Sequence, residues 1–329
     1  MKQCPKCKQE YKDSAMFCRN DGQRLIPVEE PEEAVASAPE NIDPLIGTLI
    51  DGKYKVERYI GGGGMGSVYA ARHSVINKLV AIKIFKPDPE QDPSLPERFR
   101  HEAEASARIR HPSIVPVNDF GQTADGTLYM VMEYVDGFPL RHLVDEEGKL
   151  SPERTVSFGS QICAAIAVAH SANIIHRDLK PENILIEMID GRETARVFDF
   201  GIAKLKDKQG LTKVGTVLGT PDYMSPEQCS SKEVDARSDI YSLGIILYEL
   251  LSGQVPFTAP KYQQVLVKHV IEPPRPLNEL CPDIPESLVY VVMQALEKEP
   301  DMRHQTATEL ANDLLASLKS SPGNQVATS

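Results

Sequence analysis

This 329-residue chain has no stretch apolar enough, over the roughly 20 residues a bilayer requires, to cross a membrane. Its N-terminus is polar and cysteine-bearing and lacks the apolar run of a secretory signal. Six cysteines, with Cys163, Cys229 and Cys281 scattered through the larger part of the chain, make no disulfide framework, so a reducing cytoplasm is the expected setting. Basic charge is missing locally: residues 25–52 hold seven acidic side chains and no lysine or arginine, whereas residues 1–24 hold six basic against three acidic. The net charge of −11 weighs against a general binder of nucleic acid or of anionic membrane. What is present, 41% hydrophobic and 25% charged residues, belongs to a soluble globular protein, and the length fits one large two-lobed domain plus something small.

The organisation follows from changes in texture. Residues 1–26 form a compact cysteine-rich unit. Residues 27–52 are acidic and proline-punctuated, too poor in large apolar side chains over 27–46 to offset the entropy of ordering, and are expected to be a disordered linker. From residue 53 to about 318 lies the main domain, followed by a polar tail over 319–329. Within it, strands are predicted at Lys55–Ile60, Ser67–Arg72, Leu79–Phe85, Val115–Phe120 and Leu128–Glu133, with a helix over Glu97–Arg110 ended by His111-Pro112. Beyond Gly137 the pattern is mostly helical. Ser151-Pro152 reads as a helix start, Ser238–Ser252 as a buried helix stopped by Gly253, and Thr306 with Glu309 as a cap for the last helix. The expected architecture is α+β, a small β-rich lobe followed by a larger helical one.

The chemistry concentrates in His176–Asn183, reading HRDLKPEN, followed by Asp199-Phe200-Gly201. Asp178 is a carboxylate that could orient a hydroxyl, Lys180 a cation for a transferred phosphoryl group, and Asn183 with Asp199 the hard oxygen ligands that magnesium prefers. Upstream, Gly61-Gly62-Gly63-Gly64-Met65-Gly66 carries GxGxxG, which lets backbone N–H groups approach polyphosphate without Cβ clashes. A dinucleotide site would place a helix after these glycines, whereas Ser67–Arg72 looks like a strand. Lys83 sits in an apolar strand, where an unpaired charge is costly, and Glu102 in the following helix is its expected ion-pair partner. Each feature alone could be a satisfied turn or an edge lysine; their order along one chain makes that reading hard to sustain.

IGGGGMGSVY, VAIK, MEYVDG, HRDLKPEN, DFGIAK, GTPDYMSPEQ and DARSDIYSLG together resemble a protein kinase catalytic domain, most closely the eukaryotic-like Ser/Thr kinases of bacteria. The resemblance covers residues of about 54–318 and implies the two-lobed protein-kinase fold. It implies an ATP site formed by Ile60, the glycines and Met65 of the loop, Ser67, Val68 and Lys83, with Ala81 and Leu185 sandwiching the adenine, Glu133 and Val135 offering backbone groups, and Met132 as gatekeeper. ATP with Mg²⁺ or Mn²⁺ would be required, and protein serines or threonines would be the acceptors, with Thr220 contacting the catalytic loop. Glu227 would pair with Arg303, and Asp239 would brace the catalytic loop. Ser106 stands where such kinases place an apolar packing residue.

Arg177 ahead of Asp178 implies an activation loop ordered by phosphorylation, with Thr212 and Thr216 as candidate sites and self-association as a route to autophosphorylation. The rival reading is a pseudokinase scaffold that binds nucleotide and partners without transfer. Cys4, Cys7, Cys18 and Asp21, spaced C-x2-C-x10-C-x2-D, resemble a zinc ribbon whose last cysteine is aspartate, and a structural Zn²⁺ is expected there. The alternatives are a metal-free ribbon or a redox CxxC.

Overall fold

A computed structural model of the chain describes residues 2–11, 15–18, 23–27, 43–63, 66–85, 95–200 and 221–319. Three bodies of secondary structure emerge. The first is a three-stranded antiparallel sheet of β1 (Lys2–Gln3), β2 (Glu10–Tyr11) and β3 (Ile26–Pro27), in the order β2-β1-β3. Among the described residues its buried core is Cys4, Ala15, Cys18 and Leu25, with Tyr11 packed alongside.

The small lobe is a six-stranded antiparallel sheet. Its strands are β4 (Leu49–Ile50), β5 (Tyr54–Gly63), β6 (Gly66–His73), β7 (Leu79–Phe85), β8 (Val117–Gln122) and β9 (Leu128–Glu133), in the order β4-β5-β6-β7-β9-β8. Strands β7 and β9 are nearly continuous apolar runs because both of their faces are covered. One face holds Tyr54, Val56, Tyr69, Ile82 and Val131. The other packs against the helix α1 (Leu95–Arg108), whose Phe99 and Ala103, one turn apart, meet Val115, Leu128 and Met130.

The expected linker ends earlier than its composition suggests. Residues 43–52 belong to the small lobe: β4 pairs with β5, Ile50 is buried, Leu45 packs on the same cluster, and Asp43 accepts a 2.7 Å hydrogen bond from the Tyr69 hydroxyl. The acidic side chains that suggested solvation are hydrogen-bond acceptors for buried tyrosines, Asp51 serving Tyr129 at 2.8 Å in the same way. Residues 28–42 and 320–329 lie outside the described residues.

The large lobe begins with β10 (Gly137–Pro139), which joins β11 (Ile184–Ile189) and β12 (Arg192–Val197) in the order β10-β11-β12. Around them stand α2 (Leu140–Glu147), α3 (Pro152–Ser171), α4 (Pro226–Cys229), α5 (Arg237–Ser252), α6 (Tyr262–Ile271), α7 (Leu277–Leu280), α8 (Glu286–Ala295) and α9 (Ala307–Ser317). Helix α5 is buried from Ser238 to Ser252 and ends on Gly253 at φ +78°, as its all-round apolar sequence and terminal glycine suggest. Gly159 on α3 lets that helix approach closely, since a Cβ there would come within 2.8 Å of Leu247 and 3.0 Å of Leu314. Ser151 caps α3 by accepting from the Arg154 amide at 3.2 Å, and Thr306 caps α9 by accepting from Glu309 at 3.0 Å.

Two of the ties between the lobes run through β12. After α1, the backbone at Ser113–Val115 bonds to β12, with Val197 N donating to Ser113 O at 2.8 Å and Val115 N to Val197 O at 3.0 Å. The buried Arg196 of β12 reaches Glu133, the last residue of β9, at 2.7 Å while also holding Glu187 at 3.1 Å.

A buried histidine gives the large lobe a pH response. His269 on α6 is fully buried between Tyr241, whose hydroxyl lies 3.0 Å from its Nδ1, and the Phe257 ring. Burial, reinforced by the Lys298 charge, pushes its imidazole down to about 3. The native state therefore refuses a proton that the unfolded chain takes up below about pH 6.5. This contribution is complete above that pH and is lost as the solution acidifies, at up to about 1.4 kcal/mol per pH unit. Thermal denaturation between pH 7 and pH 5 should show a steeper fall in Tm for the native protein than for His269→Phe; equal slopes would reject the assignment. His176 and His304, whose imidazoles burial also depresses, contribute to the slope that remains in the variant.

Candidate active site

The glycine segment forms the turn between β5 and β6, with Gly61 opposite Val68, Gly62 opposite Ser67 and Gly63 opposite Gly66. Gly66 is the position that demands glycine: its φ is +123°, and a Cβ would fall 2.5 Å from the Ile84 carbonyl oxygen. A strand, not a helix, follows the glycines, because the alternation from Ser67 onwards buries Tyr69 and Ala71 on one face of the sheet. Gly64 and Met65 lie outside the described residues, while Ile60 sits exposed on β5 just before the turn.

Below the turn, antiparallel register places Val68 opposite Lys83 and Ala81 opposite Met132. Val68, Ala81, Met132, Val135 and Leu185 are drawn into one apolar cluster, Leu185 arriving from β11 of the other lobe. Residues read from three separate motifs, joined by Leu185 just beyond the catalytic run, thus meet in one apolar cluster. The Glu133 carboxylate is held by Arg196, which fixes the chain where it leaves β9.

Lys83 is only 6% exposed, and its ammonium lies 2.5 Å from Asp199 Oδ1. The backbone of Glu102 is part of α1, but its side chain lies outside the described residues, so its expected pairing with Lys83 carries no geometry. Ser106, one turn on, is buried in spite of its hydroxyl.

The loop 176–183 is shaped by backbone bonds. Asp239, at the start of α5, accepts from His170 Nε2 at 2.7 Å, from His176 N at 2.8 Å and from Arg177 N at 2.9 Å. Burial alone would raise its carboxyl; these donors outweigh that and hold it below the usual range. His176 accepts at Nδ1 from Asp178 N (3.3 Å) and directs Nε2 at the Phe198 carbonyl (3.1 Å), which fits a neutral ring with its proton on Nε2. Its burial depresses the imidazole accordingly. Both Arg177 and Asp199 have positive φ, +63° and +60°, so each projects its side chain from a constrained turn.

On this frame, Asn183 Nδ2 donates to Asp178 O at 2.8 Å and approaches Asp178 Oδ2 at 3.3 Å, while Lys180 Nζ stands 3.2 Å from that same oxygen. Committing the Asn183 amide nitrogen to Asp178 leaves its oxygen as the atom able to meet a cation. With the Asp199 carboxylate, this makes a hard oxygen pair suited to magnesium. Thr212, Thr216 and Thr220 lie outside the described residues.

Three further contacts were not legible in the sequence. Ser225 caps α4 through a reciprocal capping box with Gln228, whose side-chain amide also donates to the Arg177 carbonyl at 2.8 Å. Arg141 threads between Glu182 and Glu249 and bonds the Tyr223 hydroxyl. Beside the site, Phe17 and Arg24 of the N-terminal sheet meet Phe138 and Asp136, at 4.8 Å between ring centroids and 3.4 Å between charges. That sheet also gathers Cys4, Cys7 and Cys18, whose sulfurs all lie within 4.8 Å of one another; Asp21 is outside the described residues. Four-coordinate zinc with Zn–S bonds of about 2.3 Å would set its sulfurs about 3.8 Å apart, so the cluster fits such an ion.

A family profile described as Protein kinase domain matches residues 54–316. The chain is 42% identical over 268 residues to the serine/threonine-protein kinase PknB of Mycolicibacterium smegmatis, covering 80% of this chain and 42% of that one. It is 40% identical over 281 residues to the serine/threonine-protein kinase pkn3 of Myxococcus xanthus, covering 83% and 51%. The chain spans about two fifths to half the length of these curated relatives. Among solved structures, the PknI kinase domain of Mycobacterium tuberculosis superposes with a TM-score of 0.66 at 28% identity, covering 82% of this chain and 98% of that one.

Proposed function

The chain belongs to the protein kinase family, and on that premise we propose that it transfers the γ-phosphoryl group of ATP to serine or threonine hydroxyls of proteins. The observation that carries this reading is the convergence of Lys180 and Asn183 on one carboxylate oxygen of Asp178, at 3.2 and 3.3 Å, together with the Lys83–Asp199 pair at 2.5 Å.

Asp178 accepts the acceptor hydroxyl's proton and aims its oxygen at the γ-phosphorus, whose bond to the bridging oxygen breaks as the new one forms. Lys180, beside that carboxylate, offsets negative charge on the group in transit. The amides of the β5–β6 turn and Lys83 hold the phosphates, and Ala81, Leu185, Val68 and Ile60 clasp the base against backbone groups of Glu133 and Val135. Asn183 and Asp199 would hold magnesium, or manganese in its place, and the ion would supply neutralisation of phosphate charge. Thr220 would help select serine and threonine over tyrosine, and Glu102 would steady Lys83.

Regulation by the segment after Asp199 is part of the reading. Burial lowers the Arg177 guanidinium's pKa, and among the described residues its Nε has no hydrogen-bond partner. A phosphate on Thr212 or Thr216 would supply the missing acceptor and charge. Self-association would let one copy modify another. Residues 1–26 are read as a ribbon folded on zinc by Cys4, Cys7 and Cys18 with Asp21, joined by an acidic segment to the kinase domain at 53–318. ATP and reduced thiols are both found in the cytoplasm, the compartment this reading requires. Among the described residues no helix is long and apolar enough to cross a membrane.

Phosphosite mapping of the full chain after incubation with ATP and Mg²⁺ and a generic basic protein tests the proposal. Phosphoserine or phosphothreonine should appear on the substrate and at Thr212 or Thr216, and all of it should vanish in Lys83→Met. Labelling that survives Lys83→Met, or none in the native chain, would reject the activity. Native mass spectra of the same samples report bound zinc.

A further inference from the structure

Among the described residues the N-terminal unit has a core of four side chains, Cys4, Ala15, Cys18 and Leu25. So small a core cannot by itself balance the entropy of ordering some 25 residues. Two other sources of order converge on it: the three sulfurs, and a seat on the segment connecting β9 to β10. Both act through one hairpin. Phe17 and Arg24 face each other in an antiparallel bridge, Cys18 N donates to Gln23 O at 2.7 Å, and Leu25 N donates to Met16 O at 2.9 Å. Cys18, a member of the sulfur cluster, is the residue after Phe17 in that hairpin. The position of the Phe17 ring is thereby tied to the sulfur cluster through a single peptide unit.

The seat is equally specific. Phe17 packs on Phe138, which also lies against the large-lobe core, and Arg24 reaches Asp136. Asp136–Phe138 directly follows Glu133 and Val135, and it is the stretch of chain that passes from the small lobe to the large one. Whatever restrains this stretch restrains the space between the lobes, and a site already held in its binding arrangement loses less freedom when ligand enters.

We infer that the N-terminal unit is a metal-dependent brace on the interlobe connection: with Cys4, Cys7 and Cys18 coordinating zinc, Phe17 and Arg24 clamp Phe138 and Asp136 and tighten nucleotide binding. The inference rests on the zinc and nucleotide readings proposed above and adds the coupling between them. By linkage, zinc must favour nucleotide as much as nucleotide favours zinc.

The test uses the full chain under reducing conditions, zinc-loaded or stripped with a chelator. A non-hydrolysable ATP analogue is titrated calorimetrically, and native mass spectrometry counts zinc. Removing zinc should weaken analogue binding about three- to tenfold, the scale of one aromatic pair with one exposed ion pair. Arg24→Glu should retain zinc, bind the analogue more weakly than the native chain, and lose most of its response to stripping. Lys232→Glu, an exposed position in the large lobe outside the N-terminal unit, should behave as the native chain. Saturating analogue should also slow zinc release to the chelator, in the native chain and not in Arg24→Glu. Zinc bound but analogue affinity unchanged by stripping and by Arg24→Glu would overturn the brace and leave the metal reading standing. A chain that binds no zinc would overturn both, and one that binds no analogue in any form would strike the kinase reading itself.

Discussion

Replacing Asp178 by asparagine should lower phosphoryl transfer by about 10²–10³-fold or more, the scale of losing one preorganised electrostatic group. The substitution is close to isosteric, and the surrounding bonds explain why little else should change. The loop is held through the backbone of residue 178, whose amide donates to His176 and whose carbonyl accepts from Asn183 at 2.8 Å. Asp239 fixes the two preceding amides independently. An amide at position 178 keeps those bonds and loses the carboxylate that accepts a proton and faces Lys180. Single-turnover transfer to a protein substrate should therefore collapse while ATP-analogue affinity stays within about twofold, well under the 1.4 kcal/mol of a tenfold change. Transfer at the native rate would remove Asp178 from the mechanism.

Arg303→Ala should destabilise the large lobe by about 3–5 kcal/mol, or roughly 6–20 °C in Tm. Arg303 and Glu227 form two parallel bonds of 2.8 Å, with side chains 0% and 5% exposed. The guanidinium also donates to the carbonyls of Glu297, Lys298 and Arg237 and lies over the Tyr241 ring. Burial pushes the Glu227 carboxyl up, and the Arg303 bonds more than offset it. Alanine at 303 would leave that charge with the Ser238 hydroxyl and take a donor from three carbonyl oxygens at once. Because the penalty comes mainly from the stranded carboxylate, pairing the change with Glu227→Leu should recover a large part of the loss. Additive losses in the double variant, read from denaturant midpoints, would show that the carboxylate is not the source.

Local signals carried far in this sequence. The strand Leu79–Phe85 and the strand Leu128–Glu133 have the limits their apolar runs predict, and the buried helix ends on Gly253 as expected. Helix α1 starts at Leu95 and ends at Arg108, each two residues earlier than its periodicity suggested, since caps fray and boundaries blur. Acidic composition misled at 43–52, where carboxylates satisfy buried tyrosines. Motif order identified the catalytic loop because its chemistry lies within a few neighbouring residues. Arg196 with Glu133 and Arg141 with Glu249 were invisible for the opposite reason: they join residues 63 and 108 positions apart, and nothing in either partner's neighbourhood announces the other. Ser225 proves to cap a helix, a role that only geometry reveals.

The attachment of Ser113–Val115 to β12 sets how α1 can move. The chain just beyond its C-terminal end is pinned to the large lobe by two backbone bonds, whereas its packing partners Leu128 and Met130 belong to the small one. The helix is a lever with its fulcrum at one end. At 1.5 Å rise per residue, position 102 stands about 9 Å up from Arg108, so a 10° tilt about the pinned end sweeps it by about 1.6 Å. That travel is enough to make or break an ion pair, and it requires no bond in the helix or at the fulcrum to change.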